Sequence, residues 1–229
     1  MVIMDVTENL NNIQQEIRQA CENSNRLSEE ITLIAVTKYV TIERTEEAIQ
    51  AGISNLGENR LEGFIEKYSH LKNKAKWHFI GTLQSRKVKD IITQVDMIHS
   101  LDRLSLAKEI NKRALNKVDC FVQVNVSGEE SKHGIMPDEV HSFINELSKY
   151  PNVHVVGLMT MAPHIENEQE LRKVFRKLAS LRDEISTKQY SHAPCNYLSM
   201  GMSNDFQIAI EEGATHIRIG TKLVGGVEK

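Results

Sequence analysis

Eight short apolar runs, separated by amphipathic polar segments, constrain the fold of this 229-residue chain more than any other feature of its sequence. The runs lie at 33–37, 54–57, 77–81, 97–101, 118–126, 153–161, 195–200 and 215–220. Several are continuously apolar and rich in Val and Ile, which is typical of strands buried on both faces. The sequence therefore predicts eight strands of a parallel sheet.

The segments between these runs have the properties of helices. Their ranges are 43–52, 103–117, 137–149, 167–187 and 204–213, and an additional helix is expected at roughly 7–27. The evidence is apolar residues at spacings of three and four, acidic residues in first turns, and glycine at helix ends. Pro137 suits a first helical turn, and Ser203 suits the N-cap of the helix that follows it.

Alternating strands and helices imply a parallel sheet with right-handed crossovers. Eight such units are enough to close the sheet into a (β/α)8 TIM-type barrel. The alternative is an open doubly wound sheet, which is disfavoured because no G-x-G-x-x-G motif follows the first strand. We expect an α/β single-domain barrel over residues 1–229, with an extra N-terminal helix.

Composition and charge exclude several classes of function. A net charge of -3 and a pI near 6.3 argue against a general affinity for nucleic acid or for an anionic membrane. The sequence contains no apolar run long enough for a membrane span and no signal peptide. Its three cysteines are widely spaced without a C-x-x-C pair, which favours free thiols in a reducing compartment. We therefore expect a cytoplasmic protein.

The nine histidines raise the question of a metal site. They are scattered without an H-x-H motif, an H-E-x-x-H motif or a cluster with carboxylates, so no metal is expected. Neither a G-x-S-x-G motif nor a P-loop is present. The basic stretch 67–76 is interpreted as a solvated helix end and loop rather than as an RNA-binding patch.

In a parallel barrel, functional residues lie at the carboxyl ends of the strands. Lys38 follows the first run, and partial burial there would lower its pKa and make the amine nucleophilic toward aldehydes. The alternative is a lysine that extends into solvent. Asn59 follows the second run at the start of a helix, where the alternative is a simple helix cap.

The segments at the ends of the last two runs predict an anion site. Residues 198–205 contain Ser199 and Ser203, and residues 217–225 end the eighth strand with Arg218, followed by Gly220 and Thr221. Backbone N–H groups at a helix N-terminus bind anions together with hydroxyl groups, and barrels often bind phosphate between these two loops. The alternative is a glycine-rich turn with a serine cap.

Seven sequence blocks occur in a fixed order along nearly the whole chain. They are 35-AVTK-38, 56-LGENR-60, 77-WHFIGTLQSRK-87, 123-QVNVSGEESKHG-134, 157-GLMTMAP-163, 198-LSMGMSNDFQIAI-210 and 216-HIRIGTKLVG-225. Together these blocks resemble the pyridoxal phosphate homeostasis proteins, which are related to the barrel domain of alanine racemase. One departure is Val40, at a position where family members often have proline.

The resemblance implies that pyridoxal 5′-phosphate binds to Lys38 as a Schiff base. The other cofactor-binding residues that it implies are Asn59 near the ring, Arg218 opposite the pyridine nitrogen, and Ser199, Ser203, Gly220 and Thr221 around the phosphate. Enzymes that need a strong electron sink pair the ring nitrogen with a carboxylate instead. A guanidinium cannot accept that proton, so Arg218 disfavours demanding carbanion chemistry.

The related racemases also have a second domain, and dimerisation brings its tyrosine to the substrate as a base. This chain ends soon after the eighth run, so we expect it to lack that domain and to have no efficient turnover. Tyr197 is interpreted as a residue that packs in the core. Tyr39, next to Lys38, is therefore the tyrosine that remains as a candidate base.

Two functions follow. The first is a non-catalytic monomer that carries and buffers pyridoxal phosphate and takes part in vitamin B6 homeostasis, with amino acids and pyridoxal-dependent apoenzymes as further candidate partners. The alternative is a small pyridoxal-dependent amino-acid racemase or lyase. A binding module without a cofactor is a more distant third.

Overall fold

The computed structural model describes residues 5–129, 131–163, 165 and 167–225. Eight parallel strands form a closed barrel in which each strand pairs with the next and β8 pairs with β1. The strands are β1 Thr32–Val36, β2 Asn55–Glu58, β3 Lys76–Phe79, β4 Met97–Leu101, β5 Val118–Gln123, β6 Val153–Met159, β7 Tyr197–Met202 and β8 His216–Ile219. The predicted (β/α)8 barrel is confirmed.

Helices connect most of the strands on the outside of the barrel. They are α1 Val6–Asn23, α2 Ile42–Gln50, α3 Leu61–Leu71, α4 Leu104–Arg113, α5 Val140–Leu147, α6 Glu168–Ser186, α7 Phe206–Glu211 and α8 Thr221–Val224. Shorter 3-10 helices cover Ser28–Glu30, Lys72–Lys74, Ser85–Asp90 and Pro137–Glu139. Helix α1 is the predicted extra N-terminal helix, and Pro137 begins the turn that leads into α5.

The seventh βα unit differs from its prediction. Strand β7 begins at Tyr197 and extends to Met202, two residues beyond the predicted end of the strand. Ser203 is not the N-cap of the following helix, because α7 begins only at Phe206 and Asp205 occupies the N-cap position. The Asp205 carboxylate accepts a hydrogen bond from the Met202 backbone N–H, which ties the end of β7 to the start of α7.

Helix α1 buries one apolar stripe against α7 and α8. The stripe consists of Val6, Leu10, Ile13, Ile17, Ala20 and Cys21. Because α7 and α8 follow the last two strands, α1 supports the two helices that begin at the carboxyl end of the barrel.

All three cysteines are free and buried, as expected from their spacing. Across the described ranges, we find no helix with the length and apolar character needed to cross a membrane.

Candidate functional site

A cavity of about 660 Å³ opens at the carboxyl ends of the strands. This volume lies in the usual range for small-molecule sites. Six of the seven predicted site residues line the cavity: Lys38, Asn59, Ser203, Arg218, Gly220 and Thr221. Barrel closure therefore brings together residues from both ends of the chain.

Lys38 follows β1 in a turn and is exposed. The predicted partial burial of this lysine is wrong, because the chain leaves the barrel directly after the fully buried Thr37. The Lys38 amine lies 4.9 Å from the centroid of the Tyr39 ring, and the guanidinium of Arg60 lies 5.8 Å from the same ring. An aromatic face at this distance attracts a cation, and Lys38 still lines the cavity.

The end of β1 is held by a buried ion pair that sequence analysis missed. Lys67 on α3 lies 2.6 Å from Glu58 and also donates a hydrogen bond to the Thr37 carbonyl. The Thr37 hydroxyl donates to the same Glu58 oxygen at 2.6 Å. Lys67 is only 4% exposed, so the interpretation of 67–76 as a solvated segment is wrong at its first residue. These bonds fix the backbone directly before Lys38.

Asn59 lines the cavity with a buried side-chain oxygen, Oδ1, that has no hydrogen-bond partner among the described residues. It is not a helix cap, because α3 has Arg60 at its N-cap position and no side chain caps that helix. Gly81 allows the Asn59 backbone to pass close by, since a Cβ at Gly81 would lie 2.1 Å from the Asn59 carbonyl oxygen. A buried polar atom without a partner fits a site for a polar ligand.

The loops after β7 and β8 form one wall of the cavity. Ser203 and Asn204 precede α7, whereas Gly220 occupies the N-cap position of α8 and Thr221 is its first residue. The first N–H groups of a helix have no acceptor within the helix, so this wall offers donors suited to an anion.

Arg218 reaches the cavity from β8 and is 4% exposed. Its Nη1 donates to the Ser199 hydroxyl at 2.6 Å, and its Nη2 donates to the Thr160 carbonyl at 2.9 Å. Burial lowers the pKa of Arg218 to about 10, so the guanidinium remains charged at neutral pH. The cavity therefore has a fixed cation at its base.

Ser199 is the one predicted site residue that does not line the cavity. It lies within β7, is fully buried, and contacts Arg218 and His99 through its hydroxyl. The phosphate contact expected for Ser199 is therefore not supported, because the strand continues for three residues beyond it before reaching the cavity.

Three histidines, His78, His99 and His216, lie in the barrel interior. Burial lowers the pKa of His78 to about 3 and that of His216 to about 4, and it holds the pKa of His99 well below its ordinary value. Among the residues that the structure describes, no group of three potential metal ligands is found. His164 lies outside the described residues.

The wall formed by the loop after β5 was not predicted from the sequence. It contributes Lys132 and His133 to the cavity. The Lys132 amine lies 2.8 Å from a Glu129 carboxylate oxygen and 3.4 Å from the Met161 carbonyl. Lys132 lies in one of the seven sequence blocks. It was not predicted as a site residue because it lies nine residues after the end of β5, and only residues directly after a strand were considered.

The family model of the alanine racemase N-terminal domain matches residues 9–228, which places this barrel in that class. Within that class, the chain belongs to the family of pyridoxal phosphate homeostasis proteins. It is 44% identical to the member from Aquifex aeolicus, over 97% of this chain and 98% of the relative. It is 35% identical to the member from Haemophilus influenzae, over 97% and 96% of the two chains. The resemblance found in the sequence is confirmed.

Solved structures agree with this assignment. PipY from Synechococcus elongatus, determined with pyridoxal phosphate bound, has a TM-score of 0.83 and 30% identity, covering 96% of this chain and all of that one. Alanine racemase from Corynebacterium glutamicum has a TM-score of 0.71 at 13% identity, with this chain spanning 60% of its length. The racemase shares the fold.

Proposed function

We propose that this chain binds pyridoxal 5′-phosphate in the cavity and carries and buffers it without catalysing a reaction of its own. The observation that carries the proposal is the convergence of a lysine amine, a buried guanidinium and two helix-starting loops on one cavity. The relatives named above are called pyridoxal phosphate homeostasis proteins, and PipY was solved with this cofactor. The unpartnered Asn59 oxygen indicates that the cavity wall is suited to a polar ligand.

Lys38 is the proposed site of covalent attachment. Among the described residues, two lysines line the cavity, but the Lys132 amine is engaged by Glu129 and the Met161 carbonyl. The Lys38 amine rests against the Tyr39 ring, which leaves its lone pair accessible once the proton is lost. The buried ion pair beneath Thr37 holds the backbone from which Lys38 extends.

The wall built from Ser203, Gly220 and Thr221 is the proposed phosphate site. It combines hydroxyl groups with the N-terminal ends of α7 and α8, and the hydroxyls are spaced on two different loops. Donors from two loops can contact several oxygens of one tetrahedral anion. This wall and Lys38 would hold the two ends of the cofactor.

Arg218 is the residue that argues against demanding catalysis. When bound, pyridoxal phosphate supplies an aldehyde that reacts with amines and a ring that can withdraw electrons. Arg218 would donate a hydrogen bond to a ring nitrogen placed opposite it, and as a permanent cation it could not keep that nitrogen protonated. The site residues therefore support reversible binding of the aldehyde more than removal of a proton from a bound amine.

The tyrosines give no clear catalytic base. Tyr197 is 42% exposed at the start of β7, so its interpretation as core packing is wrong, and it does not line the cavity. Tyr39 is 50% exposed beside Lys38 and does not line the cavity either.

We propose amino acids and pyridoxal-dependent apoenzymes as the recipients of the cofactor. We also propose a monomer in the cytoplasm, where the three free cysteines would stay reduced.

The test is to load the purified protein with pyridoxal phosphate, reduce it with borohydride and map the modified lysine by peptide mass spectrometry. The unsubstituted protein should absorb in the visible range before reduction and carry the adduct on Lys38 afterwards. Lys38→Ala should abolish the adduct, whereas Lys132→Ala, the matched control at the same cavity, should retain it. Modification of Lys132 with Lys38 left free would contradict the assignment.

A further inference from the structure

A continuous chain of hydrogen bonds crosses the barrel interior from the start of β2 to the cavity. Asn55 Oδ1 lies 3.0 Å from His78 Nε2, and His78 Nδ1 lies 2.9 Å from His99 Nε2. His99 Nδ1 then lies 2.9 Å from the Ser199 hydroxyl, which is 2.6 Å from Arg218 Nη1. Five strands contribute to this chain, and it ends on the guanidinium at the base of the cavity.

The donors and acceptors of this chain have only one fully satisfied arrangement. Arg218 can only donate, so the Ser199 oxygen accepts from it, and the Ser199 proton is then donated to His99 Nδ1. His99 therefore carries its proton on Nε2 and donates it to His78 Nδ1. By the same reasoning His78 carries its proton on Nε2 and donates it to Asn55. Both histidines are neutral in this arrangement.

The surroundings of the two rings favour this neutral state. Burial is the main cause of the lowered pKa of both histidines. It is reinforced by His216 and Lys76 for His78, and by His78, His216 and Arg218 for His99. His99 also stacks on Phe121 with a centroid distance of 4.4 Å, which fixes the plane of its ring. A neutral ring in a fixed plane presents the lone pair of Nδ1 toward Ser199.

We propose that His99 is a positioning residue for Arg218: through Ser199, its Nδ1 lone pair holds the guanidinium in place at the base of the cavity. The inference rests on the proposed function in one respect, namely that Arg218 faces the ring nitrogen of pyridoxal phosphate. Without an acceptor at His99 Nδ1, the Ser199 proton has no partner in the chain, and the hydroxyl no longer presents a fixed lone pair to Nη1. Ser199 thus serves Arg218 and not the phosphate.

The first test measures the tautomers of the cofactor-free protein by nitrogen NMR of the histidine side chains. His78 and His99 should both be neutral, with the proton on Nε2, throughout about pH 5 to 8. A proton on Nδ1 of His99, or titration of either ring in this range, would overturn the proposal. The measurement uses the unsubstituted protein, so it tests the predicted tautomers even if a variant does not fold.

The second test compares two matched substitutions. His99→Asn keeps an acceptor near the Nδ1 position, whereas His99→Gln keeps a polar group near the Nε2 position and loses the acceptor. Each variant is titrated with pyridoxal phosphate and with its carbon analogue, in which C–H replaces the ring nitrogen. His99→Gln and Ser199→Ala should weaken pyridoxal phosphate binding about tenfold and leave the analogue little changed, whereas His99→Asn should behave like the unsubstituted protein.

Equal losses for both ligands, or a larger loss for His99→Asn than for His99→Gln, would show that His99 acts through packing and would overturn the proposal. Thermal unfolding of the cofactor-free variants provides the control for general damage. If the unsubstituted protein bound neither ligand, the proposed function would be wrong, and the tautomer measurement would still decide the arrangement of the hydrogen-bond chain.

Discussion

At the scale of single residues, the most consequential contact is the buried pair of Lys67 and Glu58. Both side chains are almost completely removed from water, and both bond to Thr37 at the end of β1. A buried charge that loses its partner destabilises a protein far more than a broken surface pair does. This pair therefore links the stability of the barrel to the position of Lys38.

We predict that Lys67→Met lowers the free energy of unfolding by about 3 kcal/mol, because Glu58 is left as a buried charge without its counter-ion. The control is Lys74→Met, which removes an ion pair with Glu46 in which both side chains are well exposed, and it should cost less than about 1 kcal/mol. Urea unfolding of both variants measures the difference. Similar losses would contradict the role assigned to the buried pair.

The sequence located Lys38 and Asn59 but not their surroundings. Strand-end position follows from the alternation of apolar and amphipathic segments, and it led directly to both residues. Whether Lys38 is exposed depends on the turn after Thr37, which the pattern does not describe. Lys67 was missed because its burial arises from Glu58 at the end of another element, and a lysine in an amphipathic helix is ordinarily solvated.

At the scale of elements, the loops after β7 and β8 carry the proposed phosphate site. We predict that Thr221→Val and Ser203→Ala each weaken pyridoxal phosphate binding by about 5- to 150-fold, because each removes a hydroxyl hydrogen bond to an anion. Binding of unphosphorylated pyridoxal should change little. Both affinities can be measured by fluorescence or absorbance titration.

The matched control for these variants is Thr82→Val, on the loop after β3. Thr82 lines the same cavity but stands apart from the loops of the last two strands. The Thr82→Val variant should bind pyridoxal and pyridoxal phosphate as tightly as the unsubstituted protein does. Equal losses for pyridoxal and its phosphate in Thr221→Val would mean that this hydroxyl contacts another part of the ligand.

Element boundaries near these loops were less predictable than the elements themselves. Strand β7 extends two residues beyond its predicted end, so Ser199 lies three residues before the end of the strand rather than next to the following loop. The predicted serine cap fails because Asp205, two residues later, occupies the N-cap position and bonds the Met202 N–H. Serine and aspartate are both favoured at the N-cap, so the local sequence does not show whether Ser203 or Asp205 occupies that position.

At the scale of the whole molecule, the barrel has a polar interior with several neutral histidines. Closure of the barrel could be predicted from eight strand-like runs, but this interior could not. His99 and Ser199 are 100 residues apart in sequence and meet only because inward-facing positions of β4 and β7 reach the same level. Scattered histidines therefore gave no indication of a cluster.

This interior predicts a pH dependence of stability. Burial lowers the pKa of His216 to about 4 in the folded protein, whereas an ordinary histidine, as in the unfolded chain, has a pKa of 6.5. As the pH falls, the unfolded chain therefore takes up a proton at this histidine before the folded protein does. Between these values stability decreases with falling pH, by up to about 1.4 kcal/mol per pH unit for this histidine. His216→Asn should therefore reduce the slope of unfolding free energy between about pH 6 and 5 by that amount.

The measurement is urea unfolding at a series of pH values. His141→Asn, which replaces a histidine on α5 outside the barrel, is measured in parallel as the control for histidine replacement itself. An unaltered slope in His216→Asn would contradict the assignment of a neutral, buried His216.

The most direct test of the carrier assignment is proton exchange in the loaded protein. Protein bound to pyridoxal phosphate is incubated with L-alanine in deuterated water, and loss of the α-proton and change of chirality are followed by NMR and chiral chromatography. A carrier should exchange the α-proton no faster than free pyridoxal phosphate at the same concentration, while still passing its cofactor to an apoenzyme. Exchange on the order of 1 per second or faster, abolished by Tyr39→Phe, would contradict the carrier assignment and make the protein an enzyme.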